Sequence, residues 1–362
     1  MFLKKASIVS IVAVAALATS VSAVSAAEAT ATATAVSTTP ELLSSVDHVQ
    51  WADASHLIAT QLTDDGRQDY IVDSQTGQYK PLRLNASASD IVVAPGGKKA
   101  AYTNAAGETF VVDLNGRISF KISNDISIKP ELVWSSDGKF IYFLQGDKGS
   151  VIAKMDIRDG SITKVLDDKV DYKANLSVSD DGKTFTYTVA LQPKVTDPGA
   201  VEGTELKDDG LAIDASTEVT NIYQYDSSSS TKKPVQLSTS KDDKMYIEAS
   251  ADASSSYYVS VGSDATTNSA LISVAKDKTV KTLFNQKDVF EAVMSGGKWY
   301  LLTAGDGANQ FIYEVDAAGV AKQLYTVADT VTDIEVKDGS VAIVNDGHVY
   351  VANGSEWKQT SL

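Results

Sequence analysis

Residues 131–166 read ELVWSSDGKFIYFLQGDKGSVIAKMDIRDGSITKVL, and this stretch decides the fold. Two Asp-Gly pairs, Asp137-Gly138 and Asp159-Gly160, separate runs rich in Val, Ile, Phe and Tyr. Glycine accepts positive φ and Asp bonds the backbone that follows, so Asp-Gly closes tight hairpins. The stretch predicts four short strands: strand, Ser-x-Asp-Gly turn, strand, loop, strand ending in Asp156, Asp-Gly turn, strand.

Working outward, the first turn recurs at Ser55, Gly97, Gly138, Gly182, Ala253, Gly297 and Gly339, so successive units are 42, 41, 44, 71, 44 and 42 residues apart. The third strand gives an independent count, ending at Asp73, Asp113, Asp156, Asp226, Ala275, Asp316 and Ala352. Self-similarity at roughly 40 residues marks a propeller, because each unit is one four-stranded sheet. The expectation is an all-β chain forming a single β-propeller of seven four-stranded blades, with six or eight as alternatives. Residues from Pro40 to Asp47 are expected to add an edge strand to the last blade and cover its open ladder.

The run Trp134-Ser-Ser-Asp-Gly-Lys-Phe-Ile-Tyr142, followed by a strand ending in Asp, resembles the TolB-type (WD40-like) propeller repeat. The likeness is good at 131–166, fair at 172–191 and loose elsewhere over 41–362. It implies a propeller, often a protein-binding one, and carries no catalytic residue. Seven units, against the six usual in TolB itself, set this chain apart.

The N-terminus sets the expected compartment. Lys4 and Lys5 precede an apolar run from Ile8 to Ala18, and Val24-Ser25-Ala26 follows. This is the pattern of a secretory signal peptide over residues 1–26. The run is too short to span a bilayer, which needs about 20 apolar residues. Residues 27–40 are small and polar and read as a flexible leader. The expectation is a secreted, extracytoplasmic protein without membrane insertion, present as a monomer.

Loss of Lys4 and Lys5 would leave 30 basic against 47 acidic residues, a net charge of −17 against −15 for the full chain. Such a surface repels phosphate backbones, which disfavours nucleic acid as a partner. The chain has no Cys, which excludes disulfides, thiol catalysis and cysteine metal sites. His48, His56 and His348 show no His-x-His or His-Glu-x-x-His spacing. No Gly-x-Ser-x-Gly elbow occurs, so a serine hydrolase of that type is excluded.

The 71-residue spacing lies within the fourth unit, where 192–220 form an inserted loop between its second and third strands. A loop this long in a compact domain is commonly functional or disordered, and 194–217 are expected to be the most mobile part of the chain after the leader. Alternating strands place the insert on the same face as the connections between blades. At that face, at the start of each innermost strand, lie His48, Asp90, Glu131, Asn175, Glu291 and Asp333, with Glu248 one position later in its unit. Ring closure would gather them at the channel mouth as a candidate binding site. Converging carboxylates there call for a cation or a basic group. The other reading is that junctions between loop and strand are polar and wet. No cofactor is expected, with Ca²⁺ the one ion such a mouth would suit.

Without a nucleophile, metal or cofactor signature, the sequence points to a non-enzymatic binding or scaffold propeller, secreted or in the cell envelope. It would engage a protein or glycan partner through the insert-bearing face. The alternative is a propeller hydrolase or lyase acting on polysaccharide through channel-mouth carboxylates.

Overall fold

In the computed structural model, which describes residues 43–360 apart from 65, 85–87, 192–193, 197–211, 215–218 and 263–266, the quoted stretch forms one four-stranded antiparallel blade. Its strands are Leu132–Trp134, Phe140–Gln145, Val151–Asp156 and Ile162–Leu166, with each strand paired to its neighbours in sequence. The Ser-x-Asp-Gly turn works through its serine. Ser135 Oγ donates to Asp137 Oδ1 at 2.8 Å and accepts the N–H groups of Lys139 and Phe140 at 3.1 and 2.9 Å. Gly138 supplies the positive φ of 65°. Ser179 and Asp181 repeat this in blade 4, and Ser250 and Asp252 in blade 5.

Seven such blades follow one another, as expected. Their innermost strands, which we call a, are His48–Trp51, Val92–Val93, Leu132–Trp134, Lys173–Val178, Asp243–Ala249, Val289–Ser295 and Val331–Lys337. Strands b, c and d follow outward in each blade. Strand b reads as a nearly continuous apolar run, FIYFLQ in blade 3 and KWYLLTA in blade 6, because both of its faces are covered by neighbouring blades. Each of seven hydrophobic clusters lies between two successive blades. Trp134, Ile141 and Phe143 pack on Ala94, Ala101 and Val111, for example. The last cluster closes the ring, bringing Val49, Trp51 and Leu57 of blade 1 against Ala342, Val344 and Val349 of blade 7.

Each blade takes its four strands from one stretch of chain, so among the described residues no strand is shared across the closure. The segment from Leu43 to Asp47 does not add the expected edge strand to blade 7. Leu43 and Val46 are buried in the cluster between blades 7 and 1, and Val46 N–H donates to Gly347 O in the b–c turn of blade 7 at 2.9 Å. Two apolar side chains gain more by filling that seam than a solvated edge would offer them.

The insert in blade 4 is not featureless. Lys194–Thr196 pairs antiparallel with Ala212–Asp214 as a short ribbon beyond strands b and c. Residues 192–193, 197–211 and 215–218 of the insert lie outside the described residues, as do residues 1–40, where a signal peptide and leader are expected.

Blades 3, 4 and 5 share a feature not read from the sequence. Lys129, Lys173 and Lys244 each stand nine residues before the turn marker, and their side chains are fully buried. Lys129 Nζ donates to the carbonyls of Gly107, Asp125 and Ser127 at 2.8–3.1 Å and pairs with Asp125 at 3.0 Å. Lys173 and Lys244 repeat this with Asp168 and Asp242. Fourteen residues on, Phe143, Tyr187 and Tyr258 place a ring under each ammonium at 5.6–5.9 Å. A lysine so placed gathers loop carbonyls that would otherwise lie buried without a partner.

Candidate functional site

Strand a of each blade begins at the channel mouth, and there the backbone is irregular. Register shifts occur between Ala174 and Ser177, Met245 and Glu248, Val289 and Glu291, and Val331 and Asp333. Asn175 and Tyr246 take positive φ of 55° and 52° at these bulges. A bulge releases N–H groups from the ladder, and the acidic side chain of the preceding blade takes them. Glu131 accepts Asn175 and Leu176 N–H at 2.8 and 2.7 Å, and Glu291 accepts Ile334 N–H at 2.9 Å. At the closure, Asp333 accepts Val49 N–H at 2.7 Å. Between blades 4 and 5, Ser177 Oγ accepts Ala249 N–H at 3.1 Å and donates to Glu248 at 2.9 Å.

The residues expected at the mouth therefore fall into separate groups. Glu131 and Asn175 form one, on blades 3 and 4. Glu248 is bound to Ser177, and burial raises its carboxyl. Asp90 has a side chain 92% exposed and pairs with Arg67, whose guanidinium also grips Asp69 at 2.9 Å. His48, Glu291 and Asp333 do come together. His48 Nδ1 lies 3.0 Å from Asp333 Oδ1. The carboxylate can only accept, so Nδ1 carries the proton and Nε2 is the free nitrogen. Among the described residues no three His, Asp or Glu groups are placed to hold a metal ion.

The electrostatics of this group follow from burial and proximity. Burial by itself would lower the His48 imidazole, yet the hydrogen bond and charge of Asp333 hold it above its ordinary value. Burial and then the charge of Asp333 push the Glu291 carboxyl well up. Glu335, two residues along the same strand, is pushed up to about 7, by burial first and by Asp333 in addition, against the lowering charges of His48 and Lys337.

Glu335 was not among the residues read from the sequence. The signal was present in the alternation Asp333-Ile-Glu335-Val-Lys337, which puts three charged side chains on one face of strand a. All three reach blade 1. Asp333 takes Val49 N–H, the Glu335 carboxylate takes Trp51 N–H, and Lys337 Nζ donates to Ala52 O at 3.0 Å.

Below the mouth, the strands a of blades 7, 1 and 2 border a cavity of about 260 Å³, whose wall includes Gln50, Trp51, Glu335 and Lys337. Trp51 is 3% exposed, yet its indole N–H has no hydrogen-bond partner among the described residues, and neither has the Gln50 carbonyl oxygen. Trp134 holds the same repeat position in blade 3 and donates to Val92 O at 2.8 Å. The cavity wall thus carries an ammonium and a carboxyl able to exchange a proton near neutral pH, beside a donor and an acceptor that are buried without partners. That set can bind a hydroxyl-rich ligand and carry out acid–base chemistry on it.

No family model and no curated protein matches this chain. Solved structures do. Tricorn protease is similar with a TM-score of 0.60 at 14% identity over 88% of this chain. The chain spans 34% of that protein's length. The propeller domain of the trilobed protease from Pyrococcus furiosus, described as having an open velcro topology, gives 0.57 at 14% identity, covering 89% of this chain and 97% of that one. An oligogalacturonate lyase in complex with manganese gives 0.59 at 10% identity, covering 84% and 83%. At these identities the likeness shows the propeller fold. These three are two proteases and a lyase, which goes against the expectation of a non-enzymatic binding scaffold and fits its alternative better.

Proposed function

We propose that the chain is an exported propeller enzyme that cleaves polysaccharide, by hydrolysis or elimination, at the channel between blades 6, 7, 1 and 2. The observation that carries this is Glu335. Its carboxyl is pushed up to about 7 on the wall of a cavity that Lys337 also lines. Strongly perturbed carboxyls in clefts concentrate at acid–base sites.

The roles follow from proton affinity. Glu335, half protonated near neutral pH, gives its proton to the leaving glycosidic oxygen. His48, oriented by Asp333 through Nδ1, uses Nε2 as the base. In hydrolysis that base draws a proton from water as it attacks the anomeric carbon; in elimination it draws the proton next to a sugar carboxyl as the bond to oxygen breaks. Trp51 and Gln50 supply a donor and an acceptor for sugar hydroxyls. The likeness to the oligogalacturonate lyase, 83% of whose length this chain matches, supports a polymer of sugars as substrate.

Export is supported by the Lys4-Lys5 and Ile8–Ala18 pattern. A TolB-type origin of the repeat is supported by the Trp134–Tyr142 run. The test is incubation with neutral and uronic-acid polysaccharides, following new reducing ends and the ultraviolet absorbance of unsaturated products. Reducing ends alone mark hydrolysis and both signals mark elimination. Cleavage of none of these polymers overturns the reading.

A further inference from the structure

At the end of blades 1 and 2 away from the channel mouth, the a–b and c–d turns enclose a separate recess of about 230 Å³. Two carboxylates border it, and both are occupied by their own turns. Asp53 Oδ1 accepts the N–H groups of Ser55 and His56 at 2.8 and 2.9 Å. Asp73 Oδ1 accepts those of Gln75 and Thr76 at 2.8 and 2.7 Å. Burial works against the Asp53 charge, but the Ser55 N–H and His56 keep its carboxyl low; the Thr76 and Gln75 N–H groups do the same for Asp73.

The cations in the recess have no such attachment. Lys80 and Arg117 both line it, and neither has a hydrogen-bond or ion-pair partner among the described residues. Arg117 is also held in the left-handed region at φ 55°, within the turn Asp113-Leu-Asn-Gly-Arg117. That conformation is set by the c–d turn, which joins the paired residues Asp113 and Ile118, and it strains a non-glycine residue.

We infer that this recess is a binding site for a small carboxylate, with Arg117 gripping both carboxylate oxygens and Lys80 adding the second positive charge. The fork of a guanidinium matches a carboxylate in just this way. The ionised Asp53 and Asp73 on the rim oppose a second negative charge, so a singly charged carboxylate is preferred to phosphate. The carboxylate could come from a uronic sugar or from an amino acid. The site shares no residue with the acid–base group at the channel and stands or falls apart from it.

The experiment measures melting temperature and calorimetric binding of the full chain with D-glucuronate, N-acetylglycine, glucose and inorganic phosphate. One or both carboxylates raise the melting temperature, glucose does not, and phosphate acts more weakly. A response to glucuronate alone names a sugar acid, one to N-acetylglycine alone names an amino acid, and equal responses mean that the carboxylate itself is read. Arg117→Gly weakens binding at least about tenfold while leaving the free protein as stable or more so, because glycine relieves the left-handed strain. Lys80→Ala weakens binding on an exposed position that the fold does not need. No response to either carboxylate, equal binding by both variants, or phosphate binding as tightly as the carboxylates would overturn the inference.

Discussion

The carboxylate of Asp333, on the innermost strand of the last blade, accepts the backbone N–H of Val49 in the first blade at 2.7 Å. Its other oxygen holds His48 at 3.0 Å. Because no strand is exchanged between the terminal blades among the described residues, this side chain, with Glu335 and Lys337 below it, joins the apolar cluster of blades 7 and 1 in closing the ring. Asp333→Ala is expected to cost about 2–3 kcal/mol, since a buried N–H loses a charged acceptor. Asp90→Ala, at the corresponding place in blade 2 but 92% exposed, is expected to cost under about 1 kcal/mol. Urea unfolding of both variants measures the difference.

The channel group makes stability depend on pH in a direction opposite to the rest of the molecule. Glu335 is raised from 4.5 to about 7, so the unfolded chain releases its proton first. The associated stability is present below about pH 4.5 and is lost as pH rises through 7, on the order of 3 kcal/mol in total. Glu291 and His48 are also raised and act in the same sense. Asp137, Asp156 and Asp252, lowered to about 2 by their lysine, arginine and turn partners, act in the opposite sense and lose their contribution in acid. Maximum stability is therefore expected on the acid side of neutrality. Melting curves across pH for Glu335→Gln show a flatter slope between pH 5 and 7.5 than those of the unaltered protein; equal slopes exclude the raised carboxyl.

The buried lysines act as fixed cross-links for the loops between blades. Lys173→Ala leaves Asp168 and the Ser150 carbonyl without their shared donor, and is expected to cost about 3–5 kcal/mol. Lys139→Ala, whose side chain is 66% exposed beside Asp137, is expected to change stability by less than about 1 kcal/mol. Chemical denaturation of the two variants separates a structural lysine from a solvated one.

How much of this was legible in the sequence varies with the kind of contact. The blades were, because strand and turn chemistry are local: Asp137-Gly138 and Ser135 specify a hairpin with no help from elsewhere. The polar positions at the head of each strand a were also visible, as Glu131, Glu291 and Asp333. Their use was not. Whether Glu131 faces an ion or the N–H groups of Asn175 and Leu176 depends on a bulge 44 residues away and on the ring closing. Glu335 was missed because its proton affinity comes from burial against blade 1, at the far end of the chain. The destination of Leu43 and Val46 was missed for the same reason, since their partners lie near residues 342–349.

One departure from the turn motif predicts a stabilising change. Ala253 stands where five of the other six blades carry glycine and adopts φ 54°. A left-handed non-glycine residue costs about 1–2 kcal/mol, and glycine adds about 0.5–1 kcal/mol of backbone entropy to the unfolded chain. Ala253→Gly is therefore expected to raise stability by about 0.5–1 kcal/mol, or about 1–4 °C in melting temperature. The reverse exchange at Gly97 is expected to be severe, because a Cβ there would lie 2.1 Å from Ala52 O and 2.8 Å from the Asp53 Cβ. Calorimetry of both variants gives the two signs.

The most direct test of the account is the rate of polysaccharide cleavage against pH for the unaltered chain and for Glu335→Gln. With Glu335 as proton donor, the rate of the unaltered chain declines as pH rises through about 7, the value at which that carboxyl ionises. Glu335→Gln folds, as its melting curve shows, yet cleaves at least about a hundredfold more slowly and loses that decline. Cleavage by Glu335→Gln at the unaltered rate, with the same dependence on pH, would contradict the assignment of chemistry to the channel.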